Sequence, residues 1–233
     1  METKKTIGVM QPYFFPYIGY FQLIQAVDTY VNLDHVSFMK RSYMTRNTLK
    51  DGVQINIPCS NASQNKSCKE VNVIADRKWF DKFSKTLEQL YSKEKNYNII
   101  LEEVLIPWSE LTNYSYNQLN IPSPSISNFN FNSICFICKY LDIKTNLIPT
   151  SYSITERKKG EGLQDIVNFY NGSNYINAIG GQKIYTKEDF ATQGIDLMFI
   201  KNKSELPNTS ILDLLFRYDK EVIKQELNNY ELV

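Results

Sequence analysis

The chain is 233 residues long, and 42% of them are hydrophobic, enough to bury a sizeable core. Basic residues number 26 and acidic residues 25, a net charge of +1, which argues against broad nucleic-acid binding because that needs a basic field. No run approaches the ~18 apolar residues of a membrane span, and the start leads into an apolar strand and polar QPY without the core of a signal peptide; a cytoplasmic protein is expected.

Residues 6–10 read as a short buried strand that ends at Gln11-Pro12, because proline cannot donate to a ladder. Residues 17–27 have helical spacing at Tyr20, Leu23, Ile24 and Val27. A second strand at 29–33 completes a βαβ unit. A polar, cationic stretch, 35–50, follows. Residues 53–58 and 69–74 predict a two-stranded hairpin around the loop SNASQNKS. An amphipathic helix is expected at 79–91 and another at 96–108, ending before Pro107. Residues 109–127 suit a short helix and a turn-rich connection. Helices at 130–141 and 162–170 alternate with strands at 145–149, 175–179 and 196–200. Thr186 with Asp189, and Ser210 with Asp213, have the spacing of a capping box; the second opens a long final helix. The alternation predicts an α/β fold, a Rossmann-like and mostly parallel sheet with helices on both faces, plus an inserted β-hairpin and helical segment. One domain is expected over 1–233, with the insertion at 51–128.

Cys135 and Cys138 form a C-x-x-C inside the apolar run ICFICKYL, where free thiols pack as small hydrophobes. A zinc site there would need two more ligands, and the single histidine, His35, is distant in sequence. No metal is expected. Cys59 and Cys68 flank a polar loop, but a cytosolic setting disfavours a disulfide.

Open α/β sheets bind ligands beyond the carboxyl ends of their strands, and three segments fall there. The first, QPYFFPYIGY, is either a hydrophobic plug or a stiff loop presenting Gln11, Tyr13 and a helix N-terminus, with Gly19 permitting close approach. Tyr17-Ile18-Gly19-Tyr20 has the spacing of the H-x-G-H motif of nucleotidylyltransferase-type folds, with both histidines replaced; tyrosine cannot supply the imidazolium charge. In the second, Asp34 and His35 close a strand. A carboxylate beside an imidazole can orient it and raise its basicity, although adjacent strand residues point to opposite faces. Lys40, Arg41 and Arg46 suit either an anion site or an exposed charged loop. In the third, IGGQKIY, paired glycines allow either a plain turn or an anion nest to which Lys183 adds charge. Asp213 is a cap first and a site candidate second.

Together these segments resemble the WbqC-like family nearly end to end. The marks are IGVMQPYFFPYIGYFQLI, AVDTYVNLDHVSFMKRSYMTRN, YINAIGGQKIY with GIDLMF, and SILDLLF. The resemblance implies a bacterial protein of surface-polysaccharide and unusual-sugar synthesis, related to transferases that attach aminoacyl groups to amino sugars. It points to Gln11, Pro12, Tyr13, Gly19, Tyr20, Asp34, Lys40, Arg46 and Asn47, and then to Gly180, Gly181, Lys183, Tyr185 and Asp213. Where the family reads D-D-V-Q-F, this chain reads Asp34-His35-Val36-Ser37-Phe38, so His35 becomes a candidate base particular to it.

These readings lead to an N-acyl or aminoacyl transferase acting on a nucleotide-linked amino sugar. The diphosphate would be held by Lys40, Arg46 and a helix N-terminus, and the amine proton taken by His35 or Asp34. The donor would be acyl-CoA or another activated acyl carrier, without a covalent enzyme intermediate. Two alternatives stand beside it: an ATP-dependent amide ligase, and a non-catalytic sugar-nucleotide binding protein. A homodimer is compatible with all three.

Overall fold

The computed structural model describes residues 5–117, 123–150 and 161–233. Strand β1 (Lys5–Met10) is buried on both faces, as its unbroken apolar run requires. Ile7 and Val9 join one apolar cluster, while Met10 packs against the other. Helix α1 (Ile18–Gln25) buries seven of its eight residues and leads to β2 (Thr29–Asn32), parallel to β1 with Ile7 opposite Thr29.

The next segment departs from the predicted hairpin. Strand β3 (Arg46–Thr48) pairs antiparallel with β4 (Gln54–Asn56) around a turn in which Asp51 and Gly52 both have positive φ, 56° and 77°. Strands β5 (Cys59–Ser60) and β6 (Asn72–Val73) make only a two-residue ladder. Residues 54–56 therefore pair upstream across the Asp-Gly turn, while the predicted pairing with 69–74 is kept only at Pro58 O, which accepts from the Ile74 N–H, and in that short ladder. Helix α2 (Arg77–Tyr91) is capped by the Asp76 carboxylate, which accepts from the Trp79 N–H.

Helix α3 (Tyr97–Ile100) does not stop before Pro107. It passes through a π-turn (Leu101–Leu105) into α4 (Ile106–Asn117). The wider turn accommodates a ring that cannot donate and would crowd the preceding turn of an α-helix. Of the turn-rich connection predicted next, residues 118–122 lie outside the described residues. Helix α5 (Ile126–Tyr140) starts earlier than predicted, at a Ser125 cap that accepts from the Asn128 N–H.

Strand β7 (Asn146–Ile148) pairs with β2, and helix α6 (Glu161–Phe169) precedes β8 (Gly172–Ala178), which lies on the other side of β1. Helix α7 (Lys187–Ala191) is capped by Thr186 and followed by β9 (Asp196–Asn202). The long final helix is instead two, α8 (Ile211–Arg217) and α9 (Lys220–Glu226), broken where Tyr218 and Asp219 turn extended. Asn96 Nδ2 donates to the Leu215 and Tyr218 carbonyls and ends α8 there. An unpredicted strand, β10 (Tyr230–Leu232), adds antiparallel to β9.

The described residues thus form a sheet ordered β10-β9-β8-β1-β2-β7, parallel except at β10. Helices α6 and α7 cover one face through Leu163, Ile166, Val167 and Phe190. Helices α1, α5, α8 and α9 contribute to the cluster on the other. None of the described helices is long and apolar enough to cross a membrane. From β1 the chain turns toward β2; from β8 it turns the opposite way, toward β9. The carboxyl ends of β1 and β8 therefore flank a topological switch point, where open α/β sheets leave a crevice.

Candidate functional site

The loop leaving β1 is fixed by donors aimed at its carbonyls. Tyr20 Oη donates to Gln11 O, Asn130 Nδ2 to Pro12 O, and Asn47 Nδ2 to both Phe14 O and Phe15 O. Ser210 Oγ also donates to Phe15 O, and the Ile211 N–H to Pro16 O. Phe15 has φ 40°, a left-handed conformation unfavourable for a residue with a Cβ, so these bonds hold strain in place. Phe14 and Phe15 are fully buried among Phe83, Trp108 and Phe129. The two readings of this segment therefore both apply: the phenylalanines plug the fold, while Gln11 and Tyr13 face outward.

They face a cavity of about 260 Å³ at the switch point. Gln11 and Tyr13 come from the exit of β1 and Leu163 from α6. Tyr175 and Asn177 come from β8, and Gly180, Gly181, Ile184 and Tyr185 from the bend beyond it. Among the described residues, no ionisable group other than tyrosine lines it. Burial raises the pKa of Tyr13, Tyr175 and Tyr185 above the ordinary phenol value, so the phenols stay neutral. The cavity offers amides and hydroxyls within apolar walls.

The arginine stretch lines a second pocket, of about 420 Å³, with Arg41, Ser42, Tyr43, Arg46, Asn47, Thr48 and Gln54. Arg41 and Arg46 are exposed, and neither has an ion-pair partner among the described residues. Arg41 also sits at φ 56°. The two pockets adjoin through their aromatics, since the rings of Tyr13 and Tyr43 lie 5.7 Å apart.

Asp34 and His35 follow Leu33, another wall of the cavity, but neither lines it or the arginine pocket. Strand β2 stops at Asn32, so strand alternation does not keep their side chains apart, contrary to expectation. His35 Nε2 lies 3.7 Å from Asp34 Oδ1. The Asp34 carboxylate is buried; its Oδ2 accepts from Thr150 Oγ1 at 2.6 Å and lies 3.6 Å from Lys69 Nζ. A carboxylate beside an imidazole can orient the ring.

Other candidates fall elsewhere. Tyr20 is buried, bonded to Tyr30 and Gln11 O. A Cβ on Gly19 would meet the Tyr17 ring at 2.4 Å, so this glycine seats a side chain rather than a ligand, and neither Tyr17 nor Gly19 lines the cavity. Lys40 and Lys183 are exposed outside both pockets. Gly180 and Gly181 form no nest: they lie in a 3-10 turn without positive φ. Asp213 is fully buried, accepting from Tyr91, Thr209 and Arg217. It does not close a capping box, because the Ser210 N–H donates to Thr48 O. Tyr175 and Asn177 were not singled out from sequence; as alternate residues of one strand they share a face, and their signal is their place just before the double glycine. All four cysteines are free, and burial raises the thiol pKa of Cys59 and Cys135 to about 11 and of Cys68 to about 12.

The model of the WbqC-like protein family matches residues 11–225. An uncharacterized protein of Mycobacterium tuberculosis, Rv1507c, is 23% identical over 231 residues, spanning 93% of this chain and 95% of the relative. No solved structure matches. The family match runs from the opening loop through the arginine pocket and most of the cavity lining into the last helix, and on that extent the chain belongs to the WbqC-like protein family.

Proposed function

We propose that this protein is a transferase of bacterial surface-polysaccharide synthesis that moves an acyl or aminoacyl group onto the amine of a nucleotide-linked sugar. The observation that carries this reading is the meeting, at Tyr13 and Tyr43, of an uncharged cavity and a pocket bearing two unpaired arginines. A nucleotide sugar divides in the same way: a neutral ring for the cavity, and a diphosphate for Arg41 and Arg46, whose planar guanidinium groups suit phosphate oxygens. His35, oriented by Asp34, is the base. The sugar amine attacks the acyl carbonyl, a C–N bond forms, the bond to the donor's carrier breaks, and the amine proton passes to the imidazole. The donor is acyl-CoA or another activated acyl carrier.

The test is to incubate purified protein with nucleotide-linked amino sugars and acyl-CoA, and to follow amide product by mass and released thiol by colour. A thermal-shift screen selects the ligands first, because a ligand of the folded state raises apparent stability. Product with stoichiometric thiol release supports the transferase. Product that requires ATP hydrolysis replaces it with an amide ligase, and tight binding without turnover under every donor replaces it with a binding protein.

A further inference from the structure

The uncharged cavity leaves open which neutral part of the ligand it takes, and its aromatic rings decide between a planar base and a sugar. A base is gripped by ring faces. Here each of the three rings is already packed against another ring. The Tyr175 ring stacks on Phe190 at 21° and 5.4 Å; Tyr185 meets Phe190 edge to face; Tyr13 is tilted against Tyr20 and Tyr43. What remains are separate hydrogen-bonding groups spread around the walls, the complement of a ring carrying several hydroxyls.

One of these groups is held ready. Asn177 is 8% exposed, and its carboxamide, which makes no hydrogen bond among the described residues, keeps polar atoms open to the cavity. A Cβ built on Gly181 would lie 3.0 Å from Asn177 Cγ, 3.0 Å from Nδ2 and 3.1 Å from Oδ1. Near-equal distances to all three atoms mean that the amide plane lies flat over the glycine, with its donor and acceptor edges directed away from it. Two positions down the same strand face, the Tyr175 hydroxyl is buried without a partner. A buried polar group without a partner destabilises the free protein, and a ligand hydroxyl in the cavity is one partner that would satisfy it.

We infer that Asn177, with Tyr175 beside it, is the specificity determinant of this cavity and recognises the hydroxyl-bearing sugar ring, not the base, of the ligand. The inference rests on the nucleotide-sugar reading above and assigns its neutral half. Gly181 is the positioning residue: a methyl group there displaces the carboxamide without removing it.

The experiment is calorimetric titration of the full chain with glucosamine-1-phosphate, uridine monophosphate and inorganic phosphate. The wild type binds the sugar phosphate more tightly than inorganic phosphate. Asn177→Ala weakens sugar-phosphate binding roughly tenfold and Tyr175→Phe roughly fivefold, the scale of one or two neutral hydrogen bonds. Both leave phosphate affinity unchanged. Gly181→Ala weakens the sugar phosphate as Asn177→Ala does. In the free protein, Tyr175→Phe unfolds at the same or a higher temperature, since no bond is lost; a lower temperature would show that the hydroxyl has a structural partner. Equal sugar-phosphate affinity in Asn177→Ala overturns the inference. So does a wild type that binds sugar phosphate no better than phosphate, or an Asn177 effect confined to uridine monophosphate. Asn177-dependent sugar binding without any acyl transfer would remove the transferase and leave the sugar site standing.

Discussion

The strained opening loop makes Asn47 the most informative residue to truncate. Its side chain is 6% exposed and makes three bonds: Nδ2 donates to Phe14 O at 3.0 Å and Phe15 O at 2.7 Å, while Oδ1 accepts from the Thr48 N–H at 2.8 Å. In Asn47→Ala, Phe15 O retains Ser210 Oγ at 2.7 Å, but Phe14 O loses its side-chain donor inside an aromatic core. Lost bonds contribute about 1 kcal/mol each, and a buried orphan group costs about 1–3 kcal/mol more. Part of the strain at Phe15, of order 1–2 kcal/mol, is released as the loop relaxes. The net loss is about 2–5 kcal/mol, a fall of about 4–20 °C in Tm at about 2–4 °C per kcal/mol for a chain of this size. Differential scanning calorimetry reads it directly. Asn47→Asp keeps the shape yet replaces the donor with a carboxylate facing two carbonyls, and should unfold at least as early as Asn47→Ala at neutral pH. A Tm within about 1 °C of wild type for Asn47→Ala would refute the claim that this side chain holds the loop.

Three further outcomes are expected. Arg46→Ala, exposed and without an ion-pair partner, should keep its stability within about 0.5 kcal/mol while losing affinity for a diphosphate ligand; equal affinity by calorimetry would remove the anion assignment. His35→Asn should slow acyl transfer by about 10²–10⁴-fold with ligand binding intact, and an unchanged rate in a transfer assay would exclude it as the base. Burial raises the folded pKa of Tyr20, Tyr30 and Tyr175 above the ordinary 10.0. Stability from these phenols is therefore complete below pH 10 and is lost as pH rises above it, because the unfolded chain then releases protons that the folded chain retains. Tyrosinate absorbance from the buried set should appear together with the loss of circular dichroism; smooth titration at pH 10 in folded protein would contradict this.

Much of the sheet was legible because its strands are short apolar runs separated by helical periodicity. Ile7 and Val9 on one face and Tyr20, Leu23 and Ile24 on α1 follow those two periods directly. The inserted hairpin is shorter than its pattern suggests, because Asp51-Gly52, a favoured turn pair, closes β3 on β4 and takes up residues 54–56. The break between α8 and α9 carried no such signal, since it depends on Asn96, more than a hundred residues upstream, reaching the Leu215 and Tyr218 carbonyls. Pro107 was read as a stop because the rule for α-helices holds, but the π-turn before it was not visible in the pattern. For the cavity, residue chemistry singled out Gln11, Tyr13 and the double glycine, and all four residues line it. Lys183, singled out for its charge, is solvated, and Asp213, a cap first and a candidate second, has its hydrogen bonds satisfied inside the protein. Asn177 and Tyr175 do not stand out in the sequence because a strand pattern does not show whether a polar side chain is paired.

The separation of charge from neutral recognition has a consequence for salt. Arg41 and Arg46 are exposed, so their attraction for phosphate is screened as ionic strength rises and the Debye length falls from about 8 Å at 0.15 M to about 3 Å at 1 M. The amides and phenols of the cavity carry no net charge, and a neutral hydrogen bond is insensitive to screening. Raising salt should therefore weaken binding of inorganic phosphate and of a sugar phosphate in parallel, while the ratio of wild-type to Asn177→Ala affinity for the sugar phosphate stays constant. In Arg46→Ala the salt dependence should flatten and the Asn177 ratio should persist. Titrations at several salt concentrations measure both. If the Asn177 ratio collapses along with the phosphate affinity, the two pockets do not divide the ligand as proposed: the amide would be acting through the charged site and not on the sugar itself.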